Sequence, residues 1–281
     1  MTVVPLGAQQ PGTVAPIPLY DEKRGGEEAA GRSHASTIGF VGGSEEEFMN
    51  CARGELHIWR IGLDCTAAAL AALQATLSPE EHARAKRFRT PNLQDRWSVS
   101  RGALRCILGS YLKIGPKALQ FRVGTHGKPE LEWPPEKLSF NLSHTRDLAL
   151  LAVAGSGRVG VDAEDVQDGL DVEEIIRSNF AAAERDEILA LPPDQRIRAF
   201  FATWVRKEAF IKALGGGLSL PLNQFVVSVR PEEPGRLISS AWDDPGRWSL
   251  VDLAEPNVAA AAAVESIGPT VLRLQFDPLV T

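Results

Sequence analysis

The spacing of apolar positions changes several times along the chain. Residues 1 to about 50 show little periodicity and are rich in Pro, Gly, Ser and Glu, which predicts a leader ahead of the packed body. "ELHIWRIGL" predicts a first strand from Glu55 to Leu63. An alanine-rich stretch from about Thr66 to Thr76 predicts a helix. In "LSPEEHARAKRF", Ser78 reads as an N-cap, Pro79 as the first helical residue and Glu81 as the partner of a capping box. A second helix runs through "QDRWSVSRGALRCILGSYL", with Trp97, Ala103 or Leu104, Ile107, Leu108 and Tyr111 along one stripe. The period then shortens, and "LQFRV", "KLSFNL", "LALLAVA" and "RVGVDAE" read as strands. "LALLAVA" is apolar at every position, as a strand buried on both faces would be. Helical spacing returns from about Asp171 to Leu191 and from Asp194 to Leu214. "NQFVVSV", "RWSLVDL", "VAAAAAV" and "TVLRLQF" close the chain as strands, with a helix left open for the alanine run.

Each half therefore reads as helices followed by strands, which predicts an α+β fold of two subdomains, 51–158 and 159–281. A faint repeat agrees: "WSVSRGALRCILG" from Trp97 resembles "WVRKEAFIKALGG" from Trp204, and Glu81 precedes the first much as Glu184 precedes the second. Two matches in the same order at nearly the same offset make a duplicated subdomain credible, and a cleft between two halves is a natural ligand site.

Composition narrows the choice of chemistry. The 281 residues are 44% hydrophobic and 23% charged, ordinary for a soluble globular protein with a sizeable core. The net charge of −6 disfavours nucleic acid as a partner, so any polyanion site is a local basic patch. Three cysteines without metal-ligand spacing read as reduced thiols of a cytoplasmic protein. The proline-interrupted N-terminus is a poor secretion signal, and no apolar run is long enough to span a bilayer.

In "VGVDAEDV", alternation puts Val159, Val161 and Ala163 on one face, with Asp162 and Glu164 together on the other. A strand running out into a polar loop explains such a pair; so does a hard cation such as Mg²⁺, which takes one to three carboxylates. Trp204, Lys207, Glu208 and Ile211 share roughly one helix face, with Lys212 at its margin. A surface Glu208–Lys212 pair is the plain reading. The alternative is that Glu208 completes a metal site with Asp162 and Glu164, while Lys207 and Lys212 hold phosphate oxygens. Gly215 to Gly217 would then cap the helix. Upstream, "THGKPEL" sets Lys128 in a turn between Gly127 and Pro129, "NLSHT" sets Ser143 beside His144, and six arginines lie on two successive helices, among them Arg84 and Arg96.

"GKP", "FNLSH", "GVDAE" and "WVRKEAFIKALGGGLSLPL", in that order, resemble the Sfp-type phosphopantetheinyl transferases, whose pattern is GKP, then N-x-S-H, then G-x-D-x-E, then W-x-x-K-E-A-x-x-K. The resemblance covers roughly Glu55 to Val229. It implies a pseudo-dimer of two similar α/β subdomains with the active site in the cleft. It also implies transfer of the phosphopantetheine arm of coenzyme A to a serine of apo acyl or peptidyl carrier proteins, with Mg²⁺ as cofactor and adenosine 3′,5′-bisphosphate released. Carried over by motif, Asp162, Glu164 and Glu208 would be the metal ligands. Arg84, Arg96, Lys128, Pro129, Ser143, His144, Asp162, Lys207 and Lys212 would bind coenzyme A. Glu81 stands where some members carry a second lysine. Glu208, or else Glu184, would take the serine proton, with Lys212 as a further catalytic group. The implied partners are coenzyme A and carrier proteins of fatty acid, polyketide or nonribosomal peptide synthesis, with no nucleic acid and no membrane, for a monomer. A Mg²⁺-dependent nucleotide or coenzyme A hydrolase, or a non-catalytic carrier-binding module, are the rival readings.

Overall fold

Alternation in β1 (Glu55–Gly62) sends Leu56 and Ile58 to one face, and Trp59 and Ile61 to the other. The structure, a computed structural model, describes residues 49–124, 128–134, 138–167 and 169–278. The leader expected over residues 1–50 lies almost wholly outside the described residues, as does Gly127 of the expected turn.

Both faces of β1 are covered, and so are those of β5 (Leu148–Ala154), which is buried at every position. Trp59, Ile61, Ala149, Leu151 and Val153 pack against α1 (Ala67–Gln74) and α3 (Pro91–Leu112) through Leu73, Val99, Leu104, Ile107 and Leu108. Leu56, Ile58, Leu148, Leu150, Ala152 and Ala154 pack instead on Val159, Val161 and Ala163 of β6 (Val159–Asp165) and on Ala260, Ala262 and Val264 of β10 (Val258–Val264). The far face of β6 and β10 carries α6 (Pro193–Leu214). The layers thus run helix, sheet, sheet, helix. The alanine run is a strand because it is sandwiched on both faces, which overrides alanine's helical preference.

The first sheet has the order β11-β1-β5-β4 and the second β6-β10-β9, with β4 (Ser139–His144), β9 (Ser249–Asp252) and β11 (Thr270–Phe276). In each sheet the opening strand pairs antiparallel with a later one, which pairs antiparallel with its predecessor. The chain order also recurs. After β1 come α1, α2 (Pro79–Ala85), α3, the hairpin β2–β3 (Gln120–Val123 and Pro129–Trp133), β4 and β5. After β6 come α4 (Glu173–Asn179), α5 (Ala182–Ala190), α6, the hairpin β7–β8 (Phe225–Val227 and Leu237–Ser240), β9 and β10. The long helices α3 and α6 each span 22 residues and open on a proline. β11 stands outside this parallel: it crosses to the first sheet and lies parallel to β1.

Three details differ from the sequence reading. The helix expected over Asp171–Leu191 is two helices, interrupted where Phe180 and Ala181 turn extended. β3 and β8 went unseen because they are short and half polar. Each half also opens on a strand, ahead of its helices. Among the described residues, no helix is long and apolar enough to cross a membrane.

Candidate active site

Gly160 sets the site's geometry. A Cβ there would lie 2.1 Å from the Ala209 carbonyl oxygen and 2.4 Å from the Ala213 nitrogen. Only glycine lets β6 run this close to α6. The residues two and four further along β6, Asp162 and Glu164, project from the same face toward Glu208 and Lys212. Lys212 Nζ donates to Asp162 Oδ1 at 2.5 Å and to Ser143 Oγ at 3.1 Å, and Ser143 Oγ in turn donates to Asp162 Oδ1 at 3.1 Å. The helix ends at once: Gly215, at φ 78°, caps it with its N–H on the Lys212 carbonyl.

Three carboxylates face one ammonium in a largely dry space. Burial, then the charges of Asp162 and Glu164, push Glu208 up to about 8, with Lys212 opposing. Burial and Asp162 push Glu164 up to about 7. Burial works against charge on Lys212, yet Asp162, Glu208 and Glu164 raise it above the ordinary lysine value. Among the described residues, two buried carboxylate oxygens, Asp162 Oδ2 and Glu208 Oε1, accept no hydrogen bond. Buried acceptors of that kind almost always have a partner. An all-oxygen set with orphaned acceptors and excess negative charge fits a hard divalent cation such as Mg²⁺.

β4, the edge of the first sheet, lies beside β6, the edge of the second. Asn141 closes that seam: its buried Oδ1 accepts the Val161 N–H at 2.9 Å. The sequence reading passed over this residue, although its fixed place in "FNLSH" marked it. Ser143 is buried on the same strand and meets Asp162, while the next residue, His144, is exposed. Lys128 Nζ donates to the carbonyls of Val159 and Lys212, both at 2.9 Å, so it clamps the start of β6 to the end of α6. Burial pushes its pKa down to about 8. Pro129 opens β3. Arg96 is held by Asp64 and Asp147, at 3.0 and 2.9 Å, and donates to the Arg146 carbonyl. Arg84 is exposed on α2.

Glu184 and Lys207 take a different place from the one expected. Lys207 Nζ donates to Glu184 Oε1 at 2.6 Å and to the Phe225 carbonyl at 2.7 Å, and both side chains are 0% exposed. Glu184 also accepts the N–H groups of Val227 and Ala181. Ala181 has no side-chain acceptor, so only the Glu184 half of a capping box forms at α5. The pair has no opening to a substrate, because its oxygens and ammonium are spent on the interior. Lys207, expected at the pyrophosphate, and Glu184, expected as an alternative base, here form a buried strut between α5, α6 and β7. The first half repeats the device: Glu81, buried in a complete capping box with Ser78, accepts from Arg101 at 2.5 Å and Arg105 at 2.6 Å.

A second cluster, Cys51, Glu55 and His57, brings its donor atoms within 4.8 Å of one another. Its hydrogen bonds are already complete. Cys51 Sγ lies on the Glu55 and Val153 carbonyls, and Glu55 Oε2 accepts the Ala52 N–H. Trp59 Nε1 donates to Tyr111 Oη at 2.9 Å, leaving the phenol proton for His57 Nδ1 at 2.6 Å and the Nε2 proton for Glu55 at 3.2 Å. Burial and the Glu55 charge push the thiol up to about 11. This is an anchor for the start of β1.

Two family models match the chain. The one described as "4'-phosphopantetheinyl transferase, N-terminal" covers residues 64–156, and that of the "4'-phosphopantetheinyl transferase superfamily" covers residues 158–263. The chain is 38% identical over 217 residues to the 4'-phosphopantetheinyl transferase HetI of a Nostoc species, covering 76% of this chain and 89% of the relative. To the 4'-phosphopantetheinyl transferase Sfp of Bacillus subtilis it is 30% identical over 169 residues, 57% of this chain and 69% of the relative. To the 4'-phosphopantetheinyl transferase AcpT of Escherichia coli it is 32% identical over 123 residues, 44% and 59% of the two chains.

Proposed function

The chain belongs to the 4'-phosphopantetheinyl transferase family, and from that premise we propose that it transfers the phosphopantetheine arm of coenzyme A to a serine of apo carrier proteins at the β6–α6 contact, with Mg²⁺ held by Asp162, Glu164 and Glu208. Adenosine 3′,5′-bisphosphate is the co-product. The carrying observation is the pair of buried carboxylate oxygens, on Asp162 and Glu208, that no described donor reaches. The repeated order of elements supports two similar halves, with the site at the seam where β4 meets β6. The protein works as a monomer in the cytoplasm on carrier proteins and coenzyme A, without nucleic acid or membrane.

The serine oxygen bonds to the β-phosphorus of coenzyme A as the bridging oxygen toward the α-phosphorus departs. Mg²⁺, when bound, supplies positive charge to the pyrophosphate oxygens as charge develops there. Lys212 adds a second positive charge, and its side chain is 28% exposed, enough to reach a ligand. Ser143 holds Lys212 and Asp162 in register. Glu208 takes the serine proton directly or through a water. His144 and Arg84, both exposed, receive phosphate oxygens of coenzyme A. Arg96 joins them by exchanging Asp64 and Asp147, which are 74% and 61% exposed and so weakly held. Lys128 and Pro129 fix the edge of the site.

Intact-protein mass spectrometry tests the reading. The protein, coenzyme A and Mg²⁺ should add one phosphopantetheine arm to an apo carrier protein, and EDTA should abolish the gain. Cleavage of coenzyme A with no carrier modified would instead establish a hydrolase. Intact coenzyme A and unmodified carriers across a broad panel would leave a binding module.

A further inference from the structure

Strand and helix keep step along the site. Gly160 lies against Ala209 and Ala213, and Asp162 meets Lys212 and feels Glu208. Lys212, whose carbonyl carbon also lies against Gly160, Glu208 and Trp204 succeed one another by one turn back along α6; two residues of strand advance about 6.6 Å and four of helix about 6 Å, so Gly160, Asp162 and Glu164 fall beside them in that order. Glu164 therefore comes opposite Trp204. That residue is 4% exposed, and its indole Nε1 is buried without a hydrogen-bond partner among the described residues. A buried indole N–H ordinarily has an acceptor. The ring cannot turn away to find another, since Phe200 lies 5.8 Å and Phe180 6.4 Å from it, centroid to centroid. Glu164 is the acceptor within its reach. The Glu164 carboxylate lies near enough to interact with the indole N–H, without a formed hydrogen bond.

We propose that Trp204 is a positioning residue: its indole N–H donates to one oxygen of Glu164 and thereby presents the carboxylate to the divalent cation. This rests on the cation reading above. Partners that orient a metal-bound carboxylate in this way are worth about 10–100-fold in metal affinity. Trp204 thus has two parts, a packing one in the aromatic stack and a polar one at the site, which substitution can separate.

Trp204→Phe keeps the stack and removes the N–H. Mn²⁺ binding to the free protein, followed by electron paramagnetic resonance, should weaken roughly 10–100-fold, while the melting temperature in EDTA stays near that of the wild type. In Glu164→Gln the same indole change should add little, because its acceptor is already impaired. Unchanged Mn²⁺ affinity in Trp204→Phe, with or without a lower melting temperature, would overturn the proposal and leave Trp204 a packing residue. An equal loss on the Glu164→Gln background would overturn it too, since the effect would not pass through Glu164. If the wild type itself bound no Mn²⁺, the cation reading would fall and this proposal with it, an outcome separate from the first two. If Trp204→Phe does not fold, 3-benzothienylalanine at position 204, which keeps the bicyclic ring and has sulfur in place of the N–H, serves instead.

Discussion

Lys207 and Glu208 are neighbours in sequence, yet one belongs to the interior and the other to the proposed site. Burial pushes Lys207 down to about 8, against the pull of Glu184, and raises Glu184 above the usual carboxylate range, so each is drawn toward its neutral form. Such a pair is costly to break from one side. Lys207→Met should destabilise the protein by about 3–5 kcal/mol, and adding Glu184→Gln should recover part of the loss; urea unfolding of the two variants measures both. A phosphate contact would instead have weakened coenzyme A binding in a fold of normal stability. Glu81 makes the pH-dependent case. Burial alone would raise its carboxyl, but hydrogen bonds and charge from Arg105 and Arg101 win and hold it below the usual range. Its folded pKa is thus below the unfolded one, and its contribution is present above about pH 4.5. That contribution is lost as pH falls through the folded value. Glu81→Gln should lower the melting temperature at pH 7, because Arg105, 2% exposed, loses its counter-charge. It should also flatten the acid side of the profile, as melts from pH 7 to pH 3 will record. Asp162, Glu164, Glu208 and Lys212 could be picked out from spacing because alternation and helical period place them together. Lys207 could not, since α6 is enclosed nearly all round and residue spacing alone does not say which neighbour a side chain meets.

At the scale of elements, the contact of β6 with α6 carries the site, and Gly160 permits it. Gly160→Ala would drive a methyl into backbone atoms of Ala209 and Ala213, which no side-chain rotation relieves. The expected result is a loss of about 2 kcal/mol or more in stability, with weakened Mn²⁺ binding as Asp162 and Glu164 move off α6. Denaturation and metal titration on one sample check both. The α2 helix was legible to the residue from Ser78, Pro79 and Glu81 because its start is encoded locally. The break between α4 and α5 was not: Ala181 lacks a capping side chain, and the carboxylate that holds its N–H is Glu184, itself fixed by Lys207 and β7. The strand nature of β10 was open for a like reason. Alanine is silent about which state it takes until layers cover both faces.

For the molecule as a whole, the order strand, three helices, hairpin, two strands occurs twice along the described residues, once from β1 and once from β6, and the likeness of "WSVSRGALRCILG" to "WVRKEAFIKALGG" falls on the third helix of each series. The sequence did not show that β11, the last strand, returns to pair with β1. A fragment ending at residue 158 would leave β1 with an open edge and the β5 face bare where β6 and β10 pack. Expressed alone, it should give a poorly dispersed NMR spectrum, and co-expression with residues 159–281 should restore a folded complex. The proposed site likewise draws on the assembled chain, since Ser143 and Asn141 come from β4 and Asp162, Glu208 and Lys212 from β6 and α6. The most direct measurement of the central claim is single-turnover transfer to an apo carrier protein by Glu208→Gln at saturating coenzyme A and Mg²⁺. The expected result is no transfer in the time the wild type modifies the whole carrier pool, with the variant melting in EDTA no lower than the wild type, because an unpaired buried carboxylate has been removed. Near-normal turnover by that variant would contradict the account.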